Sequence, residues 1–149
     1  MKTYKHTQIG KDMIIIFIIL LAIFFLWSNT TAYVWMDTVM FISIMSVVFI
    51  LLLFGSLTVS VDQSFIKIKF GIGLIRKKWP ITEIETVKVV RNKWWYGLGI
   101  HMTPYGWLYN VSCLDALQVQ LKNGGMLRIG TNQPHELKRA IIDQIGKMG

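Results

Sequence analysis

Two uninterrupted apolar runs, residues 13–27 and 38–54, stand back to back near the start of the chain, and neither holds a charged side chain. As helices they rise about 1.5 Å per residue and reach roughly 22–26 Å, so each borrows flanking residues to cover a hydrocarbon core of about 30 Å. The pattern predicts a membrane protein with a transmembrane helical hairpin over 13–56 and an external loop over 28–37, where Trp27, Tyr33 and Trp35 suit the headgroup region. Ser43 and Ser46 are spaced to let the two helices approach.

Behind the hairpin the pattern changes to period-two alternation, which signals strands with one buried face. Ile66, Ile68 and Phe70 fall on one face and Lys67 and Lys69 on the other. Gly71-Ile72-Gly73 offers a turn, and residues 74–79 return carrying Arg76, Lys77 and Lys78, so the first hairpin is basic. After Pro80 the alternation resumes over 85–91, with Val87 and Val89 together. Residues 94–107 are dense in aromatics and glycines and fit two short strands around Pro104-Tyr105-Gly106. Leu117, Val119 and Leu121 alternate with Gln118, Gln120 and Lys122 up to Asn123-Gly124, a pair that tolerates positive φ in a tight hairpin turn. Leu127 and Ile129 face inward on the return. The chain closes with an amphipathic helix: Pro134 suits its first position, Glu136 and Lys147 complement the dipole, and Leu137, Ala140, Ile141 and Ile145 make its apolar stripe.

Composition divides the chain in the same place. Of 149 residues 53% are hydrophobic, and most of the excess precedes Gly55. Residues 57–149 are long enough for one small domain with its own core. That part carries 13 Lys and Arg against 6 Asp and Glu, so nearly all of the net charge of +8 belongs to it. A basic domain beside a bilayer finds its simplest partner in anionic lipid rather than nucleic acid. Lys2, Lys5 and Lys11 before the first run and the basic hairpin after the second, with no Lys or Arg in the linker, place both termini in the cytoplasm of a multi-pass plasma-membrane protein. Residues 1–12 are then a cytoplasmic N-terminal segment. The single Cys113 excludes an intrachain disulfide and reads as a small packed side chain, and the three His residues have no ligand spacing, so no metal or cofactor is expected.

Several segments carry a resemblance. Leu57-Thr58-Val59, Ile66-Lys67-Ile68-Lys69-Phe70-Gly71, Trp79-Pro80-Ile81 before Ile84-Glu85-Thr86-Val87, Gly106-Trp107-Leu108-Tyr109-Asn110-Val111-Ser112, and Leu127-Arg128-Ile129-Gly130-Thr131 before the last helix together resemble the small bacterial pleckstrin-homology-like (PH-like) membrane proteins, in which a helical hairpin precedes the domain. The resemblance implies a mostly-β PH-like barrel of about seven strands over 57–149, capped by the C-terminal helix, with a binding or scaffolding role rather than catalysis.

The candidate contact residues form two groups. Lys67, Lys69, Arg76, Lys77 and Lys78 converge on the first hairpin, the region where PH domains commonly hold phosphoinositide headgroups, although the turn itself has no basic residue. Lys93, Trp94 and Trp95, beside Arg91 and Tyr96, join cations to indoles as interfaces do. Adjacent strand residues face opposite ways, which would put one of Trp94 and Trp95 in the core and the other at the barrel edge. Glu83, Glu85, His101 and Asp115 are the best material for a catalytic site, but no spacing among them makes one. The sequence therefore points to a non-enzymatic, membrane-anchored interaction module for another membrane protein or anionic lipid. A self-assembling scaffold is the alternative within that class, and an enzyme acting at the membrane surface is the alternative outside it.

Overall fold

The structure, a computed structural model, describes residues 4–28, 35–112 and 114–148. Lys2, Tyr33, the Asn29-Thr30-Thr31 part of the linker and Cys113 lie outside these, as do the side chains of Ser28, Met36, Lys147 and Met148. Strand β1 (Tyr4–Ile9) comes first, followed by helices α1 (Lys11–Ser28) and α2 (Met36–Phe54). Strands β2 (Ser56–Val61), β3 (Phe65–Phe70) and β4 (Arg76–Pro80) come next, then a 3-10 turn over Ile81–Glu83 and β5 (Ile84–Arg91). A second 3-10 turn, Trp94–Tyr96, precedes β6 (Gly99–Thr103), β7 (Gly106–Asn110), β8 (Asp115–Leu121), β9 (Met126–Gly130) and α3 (Pro134–Met148).

The expected single barrel of about seven strands does not form. The described strands make two sheets, a four-stranded one in the order β1-β2-β3-β4 and a five-stranded one in the order β5-β8-β9-β7-β6. Alternation identifies which face of a strand is buried but not which strand lies beside it. The break falls at Pro80, where buried Ile81 opens a 3-10 turn that carries the chain from one sheet to the other. Within the five-stranded sheet β7 and β9 run parallel and the other pairs antiparallel.

The expectation of two membrane spans is corrected as well. Among the described residues one helix, Asp37–Phe54, is long and apolar enough to cross a membrane, with a mean hydropathy of 2.4 and no burial inside the protein. Helix α1 opens on the charged pair Lys11 and Asp12, which shortens its apolar part. A multi-pass arrangement with both termini on one side is therefore not supported. Ser43 and Ser46 donate to Val39 O and Ile42 O of their own helix at 2.8 Å, which satisfies their hydroxyls without a partner helix.

Strand β1 was not legible as a strand. It pairs antiparallel with β2, from Tyr4 opposite Val61 to Ile9 opposite Ser56, and Gly10 N–H continues the ladder to Gly55 O at 2.9 Å. Helix α1 thus begins where α2 ends. The inward positions of β1 are polar, and each finds a distant partner: Gln8 Nε2 donates to Gly130 O at 2.8 Å and Gln8 Oε1 accepts from Asn132 N–H at 3.2 Å. His6 Nε2 meets Asn132 Oδ1 at 2.7 Å. These bonds stitch the first strand of one sheet to the end of the last strand of the other.

The core lies between the sheets. Leu57, Val59, Ile66, Ile68 and Phe70 from one meet Val87, Leu117, Val119, Leu127 and Ile129 from the other, with Leu137 and Ile141 of α3 fully buried against them. The predicted stripe of the last helix is thus the one it buries. The helical pair is attached to this core. Phe54 at the end of α2 packs edge-on to Phe70 at 5.9 Å between centroids, and Ile72 N–H in the β3–β4 turn donates to Leu52 O at 3.0 Å, satisfying a carbonyl that the helix end leaves open. Gly71, at φ +44°, is required there, because a Cβ would overlap Leu52 O.

Candidate functional site

The outward face of the four-stranded sheet is a lattice of cations and hydroxyls. Pairing registers place Lys5, Ser60, Lys67 and Lys78 side by side across β1 to β4, and Thr7, Thr58, Lys69 and Arg76 side by side in the neighbouring row. These residues line a hollow of about 730 Å³, which Lys77 also borders. Lys77 is opposite Ile68, in the other register of the edge strand β4, and is exposed. All five cations expected of the first hairpin are therefore brought together, and Lys5 joins them from the far side of the helical pair. Lys5, Thr7, Thr58 and Ser60 were not assigned to a site by sequence. The Lys5 and Thr7 alternation is the only local signal, and it has meaning only once β1 is known to pair with β2.

Two cross-strand pairs on this face are of like charge, Lys67 opposite Lys78 and Lys69 opposite Arg76. Directly opposed like charges cost roughly 0.2–1 kcal/mol where opposite charges would stabilise. One acid answers them: Asp62 Oδ2 is 2.6 Å from Lys67 Nζ, while Asp62 Oδ1 accepts from the N–H groups of Ser64 and Phe65 at 2.9 and 2.8 Å. Chiefly the Lys67 bond, with these N–H groups, holds the Asp62 carboxyl below its ordinary value against a weaker opposing effect of burial. Lys67 and Lys78 also flank the Phe65 ring, at 5.7 and 5.0 Å from its centroid. Arg76 Nε donates to Gly73 O, which aims the guanidinium along the turn.

Position along the strands matters as much as charge. Lys69 and Arg76 are next to the turn that docks on the end of α2, and Lys5, Lys67 and Lys78 form a second tier about 7 Å farther on. Ile72 and Leu74 at the turn are exposed apolar side chains. The face thus climbs from the end of the apolar helix, its nearest cations level with that end.

The second expected group is built differently from expectation. Trp94 and Trp95 lie on a 3-10 turn, not a strand, so neither enters the core: they are 77% and 59% exposed. Their rings meet edge-on at 5.8 Å, and Lys93 Nζ lies 4.9 Å from the Trp95 centroid. Trp94 faces the first turns of α1.

One cation was missed altogether. Arg128, on the outward register of β9, is only 6% exposed. Its Nε and Nη2 donate to Gln118 Oε1 at 3.0 and 2.8 Å, its Nη1 donates to Asn92 Oδ1 at 3.1 Å, and the Tyr105 ring covers it at 3.9 Å. Burial pulls its pKa below the ordinary value. A tally of charged positions has no means of separating this residue from the open lysines.

The four residues considered for catalysis do not converge. Glu83 and Glu85 are at one end of the β5–β8 pair, Asp115 is at the other, opposite Arg91, and His101 is on β6 at the far edge of the same sheet. Among the described residues no group of three or more His, Cys, Asp or Glu is placed to hold a metal ion.

Compared with protein-family models, characterised proteins and solved structures, the chain matches none.

Proposed function

We propose that this protein is a non-enzymatic interaction module held at a membrane by the apolar helix α2, and that the outward face of its four-stranded sheet engages anionic phosphate groups at the bilayer surface. The observation that carries the reading is the pair of like-charged registers, Lys67 with Lys78 and Lys69 with Arg76. A sheet built for stability alone would alternate signs across these strands, whereas an external anion removes the repulsion. The climb of the face from the end of α2 supports lipid headgroups as the source of that anion, because juxtamembrane cations gain about 1 kcal/mol each beside anionic lipid. Flanking Thr and Ser hydroxyls add donors suited to phosphate oxygens. The proposal stands on these residues and not on the PH-like resemblance.

The test is amine reactivity in nanodiscs. The full chain is placed in phosphatidylcholine discs with and without phosphatidylglycerol, and acylation of Lys5, Lys67, Lys69 and Lys78 is followed by peptide mass spectrometry over a salt series. Protection in the anionic discs alone, relieved by salt, is the expected result. Equal labelling in both discs would overturn the proposal, and would direct the search to an acidic protein partner or to self-association.

A further inference from the structure

The junction between the helices and the five-stranded sheet carries a second site. Ile16 and Phe17 of α1, Ile50 and Phe54 of α2, Leu98 just before β6 and Ile100 on it line a groove of about 620 Å³, within the roughly 300–1,000 Å³ usual for small-molecule sites. Ile16 and Phe17 are five and six residues into α1, so this groove reaches about 9 Å along the helices. Gly97 and Gly99, both at positive φ, let the chain turn tightly along its wall.

The groove leads to a polar end. A smaller cavity of about 120 Å³ shares Trp94, Gly97 and Leu98 with it and is lined further by Asp12, Asn92, Lys93, Leu114 and the buried amide Asn110. Asn92 is 4% exposed, and its Oδ1 is taken by Arg128, yet its Nδ2 has no acceptor among the described residues. A buried amide donor left without a partner costs about 1–3 kcal/mol, which is uncommon in a folded protein and calls for a specific explanation. Arg128 holds the amide in this orientation from the other side. At the mouth of the apolar channel the cavity thus brings together the Asn92 amide donor, the Asn110 amide and the charged residues Lys93 and Asp12.

We infer that this cleft binds one acyl-ester lipid, its chain along the α1–α2 groove and its ester carbonyl on Asn92 Nδ2. An acyl ester supplies in one molecule what the two cavities ask for separately: a long apolar part, a carbonyl acceptor at the point where the groove turns polar, and a headgroup within reach of Lys93 and Asp12. Lipid is the ligand present wherever an apolar helix is embedded, and the inference rests on the membrane reading of α2 given above. It differs from contact with the cationic face, which lies on the other sheet and reads phosphate charge rather than a single chain.

The test uses the full chain in mild detergent, titrated with phosphatidylglycerol and phosphatidylcholine and read by native mass spectrometry. One lipid per chain should be retained at a plateau. Asn92→Asp keeps the oxygen that accepts from Arg128 but replaces the donor with a second acceptor, so retention should fall about tenfold or more while thermal unfolding holds or rises. Ile16→Trp fills the groove and should abolish the plateau. The plateau and both losses should appear equally with zwitterionic phosphatidylcholine, whose headgroup has no net charge for the cationic face to select, and this separates failure of this site from failure of the face. Lipid adducts that grow without a plateau, or equal retention by Asn92→Asp and Ile16→Trp, would overturn the inference.

Discussion

Lys69 and Arg128 occupy comparable places, each a cation at an outward position of a strand, and the two sheets treat them in opposite ways. On the five-stranded sheet Arg128 is used internally: Gln118 and Asn92 take its N–H groups and Tyr105 closes over it. On the four-stranded sheet Lys69 faces Arg76, and the neighbouring tier repeats the conflict with Lys67 and Lys78. The first arrangement fixes the protein to itself. The second leaves Lys69 opposite a like charge, and on the proposed reading an anion from outside relieves it.

The largest expected effect comes from breaking the structural side. Arg128→Ala removes three hydrogen bonds and leaves the side chains of Gln118 and Asn92 short of partners, so unfolding of the full chain in detergent should become easier by about 3 kcal/mol. A loss below about 0.5 kcal/mol would make Arg128 equivalent to the open lysines and dissolve the contrast. Lys69→Glu acts in the opposite sense. It turns a like pair into an opposite one, raising stability by about 0.5 kcal/mol, and reverses charge at the tier nearest the helix end, so salt-sensitive protection in anionic nanodiscs should weaken about tenfold.

Lys5→Glu sharpens the geometry. Lys5 stands one tier farther from the helix end, a separation near the screening length of about 8 Å at physiological salt, so its effect on protection should be about a third of that of Lys69→Glu. Equal effects would mean that the whole face meets its anion at once, as an extended acidic partner would. The smallest change is Asp62→Asn, which frees Lys67 and should strengthen protection about twofold with little change in stability. The sign with pH follows from the same pair. Its folded pKa is depressed, so the contribution of Asp62 is present above the ordinary carboxylate value of 3.8 and is lost as pH falls through the lower folded value. Amine reactivity of Lys67 relative to that of exposed Lys88 at the same pH that changed at mildly acidic pH, well above that range, would contradict this assignment.

Much of the architecture was legible from local pattern. The alternation in β3, β5 and β8, the Asn123-Gly124 turn and the Pro134 start of α3 all depend on interactions within a few residues, and each appears where the pattern predicts it. Strand β1 was not legible, because His6 and Gln8 face inward as polar residues and their partners are more than 120 residues away. The dense aromatic run reads as strand, which would bury one of Trp94 and Trp95, whereas Gly97 and Gly99 bend it into a turn that exposes both rings.

The candidate site divides along the same line. The five cations of the β3–β4 hairpin were readable in order along the chain, since one turn joins them. The like-charged registers, the arrival of Lys5 and the Asn92 Nδ2 left without an acceptor among the described residues were not, since each depends on which strands become neighbours.

What the sequence determined by itself is therefore local: the apolar helices, the faces of most strands, the closing amphipathic helix and the basic character of the first hairpin. Periodicity and turn chemistry act over a few residues and leave their mark in order along the chain. The tertiary structure alone decided the division into two sheets, the parallel β7–β9 pair, the recruitment of β1 from before the helices, and which cations stay open. Those outcomes turn on contacts between segments far apart in the chain, where the burial of one side chain depends on a partner that no local pattern names.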